Sequence, residues 1–128
     1  FSNVGDTYVE VNMTKQHLWF YKDGYLVVEG DVVTGNESDG CSTPTGVYNL
    51  YSKQKDTVLT GPGYASPVSF WMPFNNNIGL HDASWRNGQF GGSIYLTNGS
   101  HGCVNLPLEK AAMIFDKIEK AMPVVCYY

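Results

Sequence analysis

The chain has 128 residues, of which 43% are hydrophobic and 14% aromatic, and its formal net charge at pH 7 is −4. This length predicts a single domain over residues 1–128, with a core large enough to fold without disulfides. The negative charge and the lack of a lysine and arginine cluster exclude an extended nucleic-acid surface. No apolar run of about 18 residues is present to form a transmembrane segment.

The N-terminal part of the chain carries the patterns of paired strands. Residues 8–13 alternate apolar and polar side chains, which is the period of a strand with one buried face. Two further strand-like runs, 17–21 and 25–28, flank Lys22-Asp23-Gly24, and Asp-Gly between such runs is a strong hairpin signal. We expect residues 31–34 to continue this sheet.

The middle of the chain gives weaker signals. Residues 43–48 read Thr-Pro-Thr-Gly-Val-Tyr and predict a turn into a strand over 47–51. Residues 57–69 are rich in Gly, Pro and Ser, and no regular element is predicted there. Residues 70–74 concentrate aromatic side chains before an asparagine turn at 75–77, which fits either a lip facing substrate or part of the core.

The C-terminal part predicts the principal helix of the domain. Residues 93–97 lie between glycine-containing turn signals and predict a short strand. Apolar side chains at helical spacing, with Pro107 in the first turn, predict an amphipathic helix over residues 107–122. A last strand is expected over residues 124–128. Together these elements predict a mainly β domain with one principal helix, arranged as a mixed β-sandwich.

Residues 100–105 read Ser-His-Gly-Cys-Val-Asn and are the most informative segment for function. A free thiol has a pKa of about 8.5, so a nucleophilic cysteine needs an imidazole, a cation or a helix terminus beside it. Gly102 allows a substrate carbonyl to approach backbone N–H groups closely, as an oxyanion hole requires. The segment predicts that Cys103 is a nucleophile; a buried structural thiol is the alternative.

A second histidine, His81, ends an apolar run upstream and is followed by Asp82. The turns in between allow the chain to reverse and bring His81 close to Cys103. Extended backbone through residue 102 would instead put His101 on the same face as Cys103, so both histidines are candidate bases. A zinc site is an alternative interpretation, since His81, Asp82, His101 and Cys103 are all possible ligands. The paired spacing of structural zinc sites is absent, however. We expect no metal.

The three cysteines are an odd number, so at least one of them is unpaired within the chain. Cys126 lies in an apolar run, where a small buried hydrophobic residue is the simplest interpretation. Cys41 lies in a predicted loop, and a bridge between Cys41 and Cys126 stays open. The histidine context selects Cys103 as the free thiol.

With His81 upstream, the Ser-His-Gly-Cys-Val-Asn segment resembles the signature of the L,D-transpeptidase catalytic domain (YkuD-type) family. That signature is a histidine, a variable loop, and Ser/Thr-His-Gly-Cys, a hydrophobic residue and Asn or Arg. The strand pair over residues 8–35, the turn over residues 43–48 and the helix after the motif are also similar to the family. The resemblance covers nearly the whole chain, although the interval from His81 to the motif is slightly longer and Asp82 replaces a frequent glycine.

The resemblance implies a role for each residue of the motif. Cys103 is the nucleophile, and His81 is its base, oriented by a carbonyl or side-chain oxygen of Asp82. His101 shapes the oxyanion hole and acyl pocket, with the N–H groups of Gly102 and Cys103 as donors to the oxyanion. Ser100 and Asn105 are expected to hold the loop, and Trp85 to line the donor pocket. Further candidates for substrate contact are Tyr64, Trp71 and Arg86.

The implied reaction is acyl transfer in peptidoglycan, the chemistry of cell wall biogenesis. The Cys103 thiolate attacks the third residue of a tetrapeptide donor stem, D-alanine leaves, and an acceptor amine on a second stem resolves the thioester to a 3→3 cross-link. No cofactor is required, and carbapenems are expected to acylate the same thiol. An L,D-carboxypeptidase and a non-catalytic wall-binding module stay open as alternatives.

The N-terminal residue of the chain bears on its location. Because the chain begins at Phe1 and carries no signal peptide, we expect a domain excised from a longer exported protein. The export signal would lie outside this fragment. The implied localisation is extracellular, at the bacterial cell wall.

Overall fold

The structure is a computed structural model that describes residues 5–61 and 63–128. In chain order its strands are β1 Tyr8–Asn12, β2 His17–Lys22, β3 Tyr25–Asp31, β4 Gly46–Asn49, β5 Gln54–Gly61, β6 Tyr64–Asn75, β7 Ile78–Asp82, β8 Val104–Leu106 and β9 Pro123–Tyr127. The α-helices are α1 Ile94–Asn98 and α2 Leu108–Lys117, and a 3-10 turn covers Ser84–Arg86.

The strands form two sheets, each of which contains both parallel and antiparallel pairs. The first sheet has the order β3-β2-β1-β9-β4, with β9 parallel to β1. The second has the order β5-β6-β7-β8, with β8 parallel to β7. The predicted fold class, mainly β with mixed sheets and one principal helix, is therefore confirmed.

The first sheet forms as its sequence pattern predicts. Val9 and Val11 of β1 are fully buried, whereas the residues that alternate with them are partly exposed. The β2–β3 hairpin turns at Asp23 and Gly24, whose φ angles of +53° and +81° lie in the left-handed region. This geometry explains the Asp-Gly pair, because a two-residue turn of this kind requires positive φ at both positions. The predicted continuation over 31–34 is not a strand, since β3 ends at Asp31.

Helix α2 packs against β3 of the first sheet and against β6 and β7 of the second. Its buried residues, Ala111 and Ile114, join a hydrophobic cluster to which both sheets contribute. The predicted helix is too long at its C-terminus. Ile118 is extended, and the N–H of Ala121 donates to the carbonyl of Leu50 at 2.6 Å. Pairing with the segment after β4 therefore outweighs the helical pattern in this last turn.

Two segments of the middle and C-terminal regions differ from their predictions. Residues 93–97 were predicted as a strand, but α1 forms there, and the carbonyls of Tyr95 and Leu96 accept hydrogen bonds from Glu37 and Ser38. Residues 57–69 belong largely to the β5–β6 hairpin, which the sequence does not predict. Before Trp71, β6 pairs with β5 alone, so Pro67 lies in the kind of edge position that tolerates proline.

Cys41, Cys103 and Cys126 are all free thiols, so the bridge left open by the sequence does not form. Cys126 is buried in β9, and burial raises its thiol pKa to about 12. Over residues 5–61 and 63–128, no helix has the length and apolar character that crossing a bilayer requires.

Candidate active site

Three neighbouring strands of the second sheet bring the predicted site residues together. The β6–β7 register pairs Trp71 with His81, and the parallel β7–β8 register pairs His81 with Asn105. Side chains in register on adjacent strands lie on the same face of a sheet. The imidazole of His81 therefore lies between the indole of Trp71, at a ring distance of 5.9 Å, and the amide of Asn105. Cys103 immediately precedes β8.

The imidazole of His81 is buried and held at both nitrogens. Its Nδ1 lies 2.8 Å from the backbone carbonyl of Asp82, so Nδ1 carries the proton and Nε2 is free to accept one. Burial lowers the pKa of His81 below its ordinary value, and the nearby charge of Arg86 acts in the same direction. The carbonyl and charge of Asp82 oppose this shift. At neutral pH His81 is a neutral imidazole.

In the described part of the chain, no hydrogen bond joins the carboxylate of Asp82 to the imidazole. The carboxylate accepts hydrogen bonds from the backbone N–H of Ser69 at 3.0 and 3.1 Å and from that of Phe70 at 2.8 Å. These contacts connect the end of β7 to β6 beyond the last paired residues. Asp82 therefore reaches His81 through its main-chain oxygen, while its side chain braces the sheet.

The thiol of Cys103 faces the turn between β6 and β7. Sγ donates to the carbonyl of Asn77 at 3.4 Å. Burial raises the pKa of Cys103 to about 11, and a backbone hydrogen bond from Gly79 opposes the increase. Among the described residues no hydrogen bond joins Sγ to His81. The free protein thus holds a protonated thiol and a neutral imidazole rather than an activated thiolate.

Asn105 connects His81 to the only arginine of the chain. Its amide satisfies its neighbours when the oxygen faces Arg86 and the nitrogen faces His81. In this orientation the oxygen accepts from Nε and Nη2 of Arg86 at 2.8 and 3.1 Å, and the nitrogen lies 3.3 Å from Nε2 of His81. The backbone of Asn105 is itself fixed by two hydrogen bonds with Val33, at 2.8 and 3.1 Å.

The loop before Cys103 is closed by its own hydrogen bonds. Ser100 Oγ donates to the carbonyl of Cys103 at 2.5 Å and accepts from the N–H of Gly102 at 3.1 Å. Gly102 has φ +124°, a conformation that residues with a side chain rarely adopt. The N–H of Gly102, expected from the sequence to face an oxyanion, is therefore bonded to Ser100 in this state.

Thr43 anchors the same loop from behind, a contact that the sequence does not reveal. Its buried hydroxyl donates to the carbonyl of Gly102 at 2.6 Å and accepts from the N–H of Gly35 at 3.0 Å. The Thr-Pro-Thr-Gly segment predicts a turn, and only its similarity to the family marks it as more than that. Long-range hydrogen bonds of this kind have no signal in sequence spacing.

The thiol and the imidazole share one cavity of about 750 Å³. Tyr64 of β6 stacks on the exposed ring of His101, with centroids 4.3 Å apart and planes 8° from parallel. Trp85, which is 46% exposed, is also near His81, at a ring distance of 5.9 Å. The predicted residues that line the cavity are Tyr64, Trp71, His81, Trp85, Arg86, Ser100, His101, Cys103 and Asn105.

Neither Asp82 nor His101 contacts the thiol through a hydrogen bond in the described part of the chain. The carboxylate of Asp82 lies on a separate shallow pocket together with Ser69. His101 stacks on an aromatic ring. Within residues 5–61 and 63–128, no three His, Cys, Asp or Glu side chains are grouped so as to hold a metal ion.

The fold and the cavity define a class of protein: a mainly β domain of two mixed sheets in which a cysteine just before β8 and a buried histidine of β7 line one cavity. The model of the L,D-transpeptidase catalytic domain family matches residues 6–126, and the chain belongs to that family. Its family and fold are those of the L,D-transpeptidase class of enzymes. No protein with a curated description matches the chain.

Solved structures agree with this assignment. The chain is similar to a cysteine-to-serine mutant of the Enterococcus faecium L,D-transpeptidase, with 38% identity and a TM-score of 0.91 over 97% of this chain and 50% of that chain. It thus spans about half the length of that protein. The catalytic domain of the E. faecium enzyme acylated by ertapenem is 40% identical, with a TM-score of 0.84 over 95% and 97% of the two chains.

A more distant structure shares the fold alone. The L,D-transpeptidase from Mycobacterium smegmatis is 21% identical, with a TM-score of 0.81 over 96% of this chain and 59% of that chain.

Proposed function

We propose that the chain is the catalytic domain of a cysteine-dependent L,D-transpeptidase that forms 3→3 cross-links in peptidoglycan. The observation that carries this proposal is the shared cavity of Cys103 and His81, in which a protonated thiol and a neutral imidazole lie on neighbouring parts of the second sheet. A neutral imidazole is able to accept the proton of a thiol during its attack on a carbonyl.

Acylation begins when the carbonyl of the third residue of a tetrapeptide donor stem enters the cavity. Sγ of Cys103 bonds to the carbonyl carbon while Nε2 of His81 takes the thiol proton. The amide bond to the terminal D-alanine then breaks, and His81 returns the proton to the departing amine. The product is a thioester on Cys103, with free D-alanine as the leaving group.

Transfer follows when an amine of an acceptor stem, typically the side-chain amine of diaminopimelate, attacks the thioester. His81 accepts the proton of the amine, the carbon–sulfur bond breaks, and the thiol is restored. If water attacks instead, the same intermediate gives a tripeptide, which is the L,D-carboxypeptidase reaction. The acceptor alone distinguishes the two reactions.

The developing oxyanion needs hydrogen-bond donors near Cys103. We assign this role to the N–H groups of Gly102 and Cys103, with His101 shaping the adjacent pocket. In the free protein the N–H of Gly102 is bonded to Ser100 Oγ at 3.1 Å. Substrate binding would exchange that neutral acceptor for the negatively charged oxygen, which is the stronger partner.

The same thiol would react with carbapenems. The E. faecium catalytic domain, 40% identical to this chain, has been solved in its ertapenem-acylated form. The cavity of about 750 Å³ falls in the usual range for sites that enclose a small molecule. Because peptidoglycan lies outside the cytoplasmic membrane, the proposed function implies an exported protein that acts at the cell wall.

The direct test is mass spectrometry of the products formed from a muropeptide tetrapeptide by the wild type and by Cys103→Ala. Dimers that lack one D-alanine, formed by the wild type alone, are the expected result. Monomeric tripeptide without dimers would identify a carboxypeptidase. Unchanged tetrapeptide, together with no ertapenem adduct on the wild type, would overturn the proposal in favour of a wall-binding module.

A further inference from the structure

Arg86 is the only side chain with a permanent charge among the described residues that line the cavity. The other lining side chains are hydroxyl, amide, imidazole, aromatic and aliphatic groups and one thiol. Arg86 is also the only arginine in a chain whose net charge is −4. The cavity therefore carries a single positive charge and no carboxylate to neutralise it.

The guanidinium is held by neutral acceptors alone. Nε and Nη2 donate to the side-chain oxygen of Asn105, and Nη1 donates to the backbone carbonyl of Asn98 at 2.9 Å. A guanidinium has five N–H donors, so two remain for another partner. In the described part of the chain, no carboxylate lies within ion-pair distance of Arg86; the ion pairs found there all involve other residues.

Because Arg86 is partly buried and has no described anion beside it, its charged form is destabilised. Burial lowers the pKa of Arg86, since the charged form loses solvation that no neighbouring carboxylate restores. Arginine is not deprotonated in proteins, so the charge persists and needs a partner. A ligand that brings an anion into the cavity would supply that partner.

The position of the guanidinium is fixed before any ligand arrives. Asn105 is held in the sheet by its backbone hydrogen bonds to Val33, and Asn98 is the last residue of α1. Arg86 itself closes the 3-10 turn over Ser84–Arg86, which is followed by Asn87 at φ +53°. Ordering a long side chain is part of the cost of binding, and here that cost is already met.

From these observations we propose that Arg86 is the receptor for a substrate carboxylate in the cavity of Cys103. The inference rests on the proposed function, which supplies the source: the terminal carboxylate of the D-alanine that leaves the donor stem. That carboxylate is one residue beyond the carbonyl attacked by Sγ. A planar guanidinium with two free donors matches the two oxygens of a carboxylate.

The first test measures binding without requiring turnover. Iodoacetamide alkylation of Cys103 is followed by mass spectrometry in the presence of N-acetyl-D-alanine or its carboxamide. In the wild type we expect the carboxylate to protect the thiol at concentrations about tenfold lower than the carboxamide. In Arg86→Gln the preference for the carboxylate should vanish. In Arg86→Lys, which keeps the charge but not the planar, bidentate geometry of the guanidinium, the preference should be partial.

Each other result of this test overturns the proposal. Equal protection by the two compounds, no protection by either, or a carboxylate preference that survives in Arg86→Gln would each exclude a carboxylate receptor at Arg86. Thermal unfolding of the variants establishes whether they are folded. If Arg86→Gln does not fold, Arg86→Lys still decides the test.

The second test separates the donor from the acceptor as the source of the carboxylate. Formation of the acyl-enzyme is followed with a donor tetrapeptide that ends in D-alanine or in D-alaninamide, and transfer is then followed with acceptors that carry free or amidated carboxylates. Slower acylation by the amidated donor in the wild type, with no such difference in Arg86→Gln, is expected. A difference confined to the acceptor would overturn the donor assignment.

The same experiment excludes an indirect role of Arg86. If Arg86 acted only through Asn105 on the base, Arg86→Gln would slow both donors by the same factor, and the proposal would be wrong. If the wild type forms no acyl-enzyme with either donor, the proposed function fails, whereas the protection of the thiol still decides whether a carboxylate binds at Arg86.

Discussion

The amide nitrogen of Asn105 lies 3.3 Å from Nε2 of His81, across the parallel strands β7 and β8. Because Nδ1 faces the carbonyl of Asp82 at 2.8 Å, the imidazole has a partner at each nitrogen and is held in one orientation. In the reaction we propose, Nε2 must exchange Asn105 for the proton of Cys103. We therefore infer that Asn105 is a positioning residue for the base.

Replacement of Asn105 by alanine removes both this contact and the acceptor of Arg86. A half-buried guanidinium N–H without a partner costs about 1–3 kcal/mol, so the free energy of unfolding should fall by that amount. Ertapenem acylation should slow by about tenfold to a hundredfold, because the base is no longer aligned. Mass spectrometry of the adduct and denaturant unfolding measure the two effects.

The matched control for this variant is Asn49→Ala. Asn49 is exposed in β4, and its amide donates to the carbonyl of Ala121, away from the cavity. This variant should acylate at the wild-type rate. If Asn105→Ala did so as well, Asn105 would have no part in positioning the base.

The thiol of Cys103 should behave as an unactivated cysteine in the free enzyme. Burial raises its pKa to about 11, so the thiolate is a small fraction at neutral pH. The rate of alkylation by iodoacetamide should then rise about tenfold per pH unit between about pH 7 and 9. Because no described hydrogen bond joins Sγ to His81, His81→Gln should have the same slope.

Peptide mass spectrometry separates this signal from that of Cys41, which lies in a loop and reacts independently. A plateau of Cys103 alkylation near neutral pH that disappears in His81→Gln would reveal a preformed thiolate–imidazolium pair and contradict the protonated ground state.

The rate of ertapenem acylation should decline only at pH values below the ordinary pKa of histidine. Burial, with a smaller contribution from the charge of Arg86, lowers the pKa of His81 below 6.5, against the opposing effect of Asp82. Because we propose the neutral imidazole as the base, we expect the rate of ertapenem acylation to stay constant as the pH falls to about 6.5 and to decline only below it. Rates measured from about pH 4.5 to 8 test this, and a decline centred above 6.5 would contradict it.

The lowered pKa of His81 also makes the stability of the protein depend on pH. In the unfolded chain His81 takes up a proton near its ordinary pKa, whereas the folded protein resists protonation of the buried ring. The resulting contribution to stability is complete above about pH 6.5 and is lost as the pH falls through the lower pKa of the folded state. The melting temperature of the wild type should therefore fall more steeply below pH 6.5 than that of His81→Phe.

Local chemistry accounts for the parts of the fold that the sequence predicts. The alternation in β1 and the Asp23-Gly24 turn depend on side chains and φ angles within a few residues, and both are found. The helix predicted to Met122 ends at Lys117, and the strand predicted over 93–97 is α1, because distant backbone partners decide both segments. Spacing along the chain carries no information about such partners.

The candidate site divides in the same way. The motif identifies Cys103, and the apolar run before His81 marks a buried strand end, so both residues are predictable. The role of the Asp82 carbonyl rather than its carboxylate depends on the direction of one side chain. The contact of Thr43 with Gly102 joins residues on different elements, and only the folded structure reveals it.

Thr43→Val should loosen the loop that carries Cys103. The substitution keeps the shape of the side chain but removes the hydroxyl, which leaves the carbonyl of Gly102 and the N–H of Gly35 without their partner. Two buried groups without partners should lower the free energy of unfolding by about 2–4 kcal/mol. Thr43→Ser retains the hydroxyl and should lose less than half of this. Wild-type stability of Thr43→Val in urea, with Thr43→Ser alone destabilised, would show that the methyl group, not the hydroxyl, matters.

The stacked pair of Tyr64 and His101 makes a contact between the β5–β6 hairpin and the cysteine loop. The rings are 4.3 Å apart and nearly parallel, and both line the cavity. An aromatic pair of this kind contributes about 0.5–1.5 kcal/mol, so Tyr64→Ala should lower kcat/KM for a tetrapeptide donor by about threefold to tenfold, mainly through KM.

Tyr64→Phe separates the ring from the hydroxyl in this effect. Phenylalanine retains the stacking face, so its kcat/KM should stay within about twofold of the wild type. Because the hairpin loses its contact with the loop only in Tyr64→Ala, amide hydrogen exchange in β5 should accelerate in that variant alone. Loss of activity in both variants would assign the effect to the hydroxyl, and wild-type kinetics in Tyr64→Ala would mean that the stacked pair does not shape the substrate site.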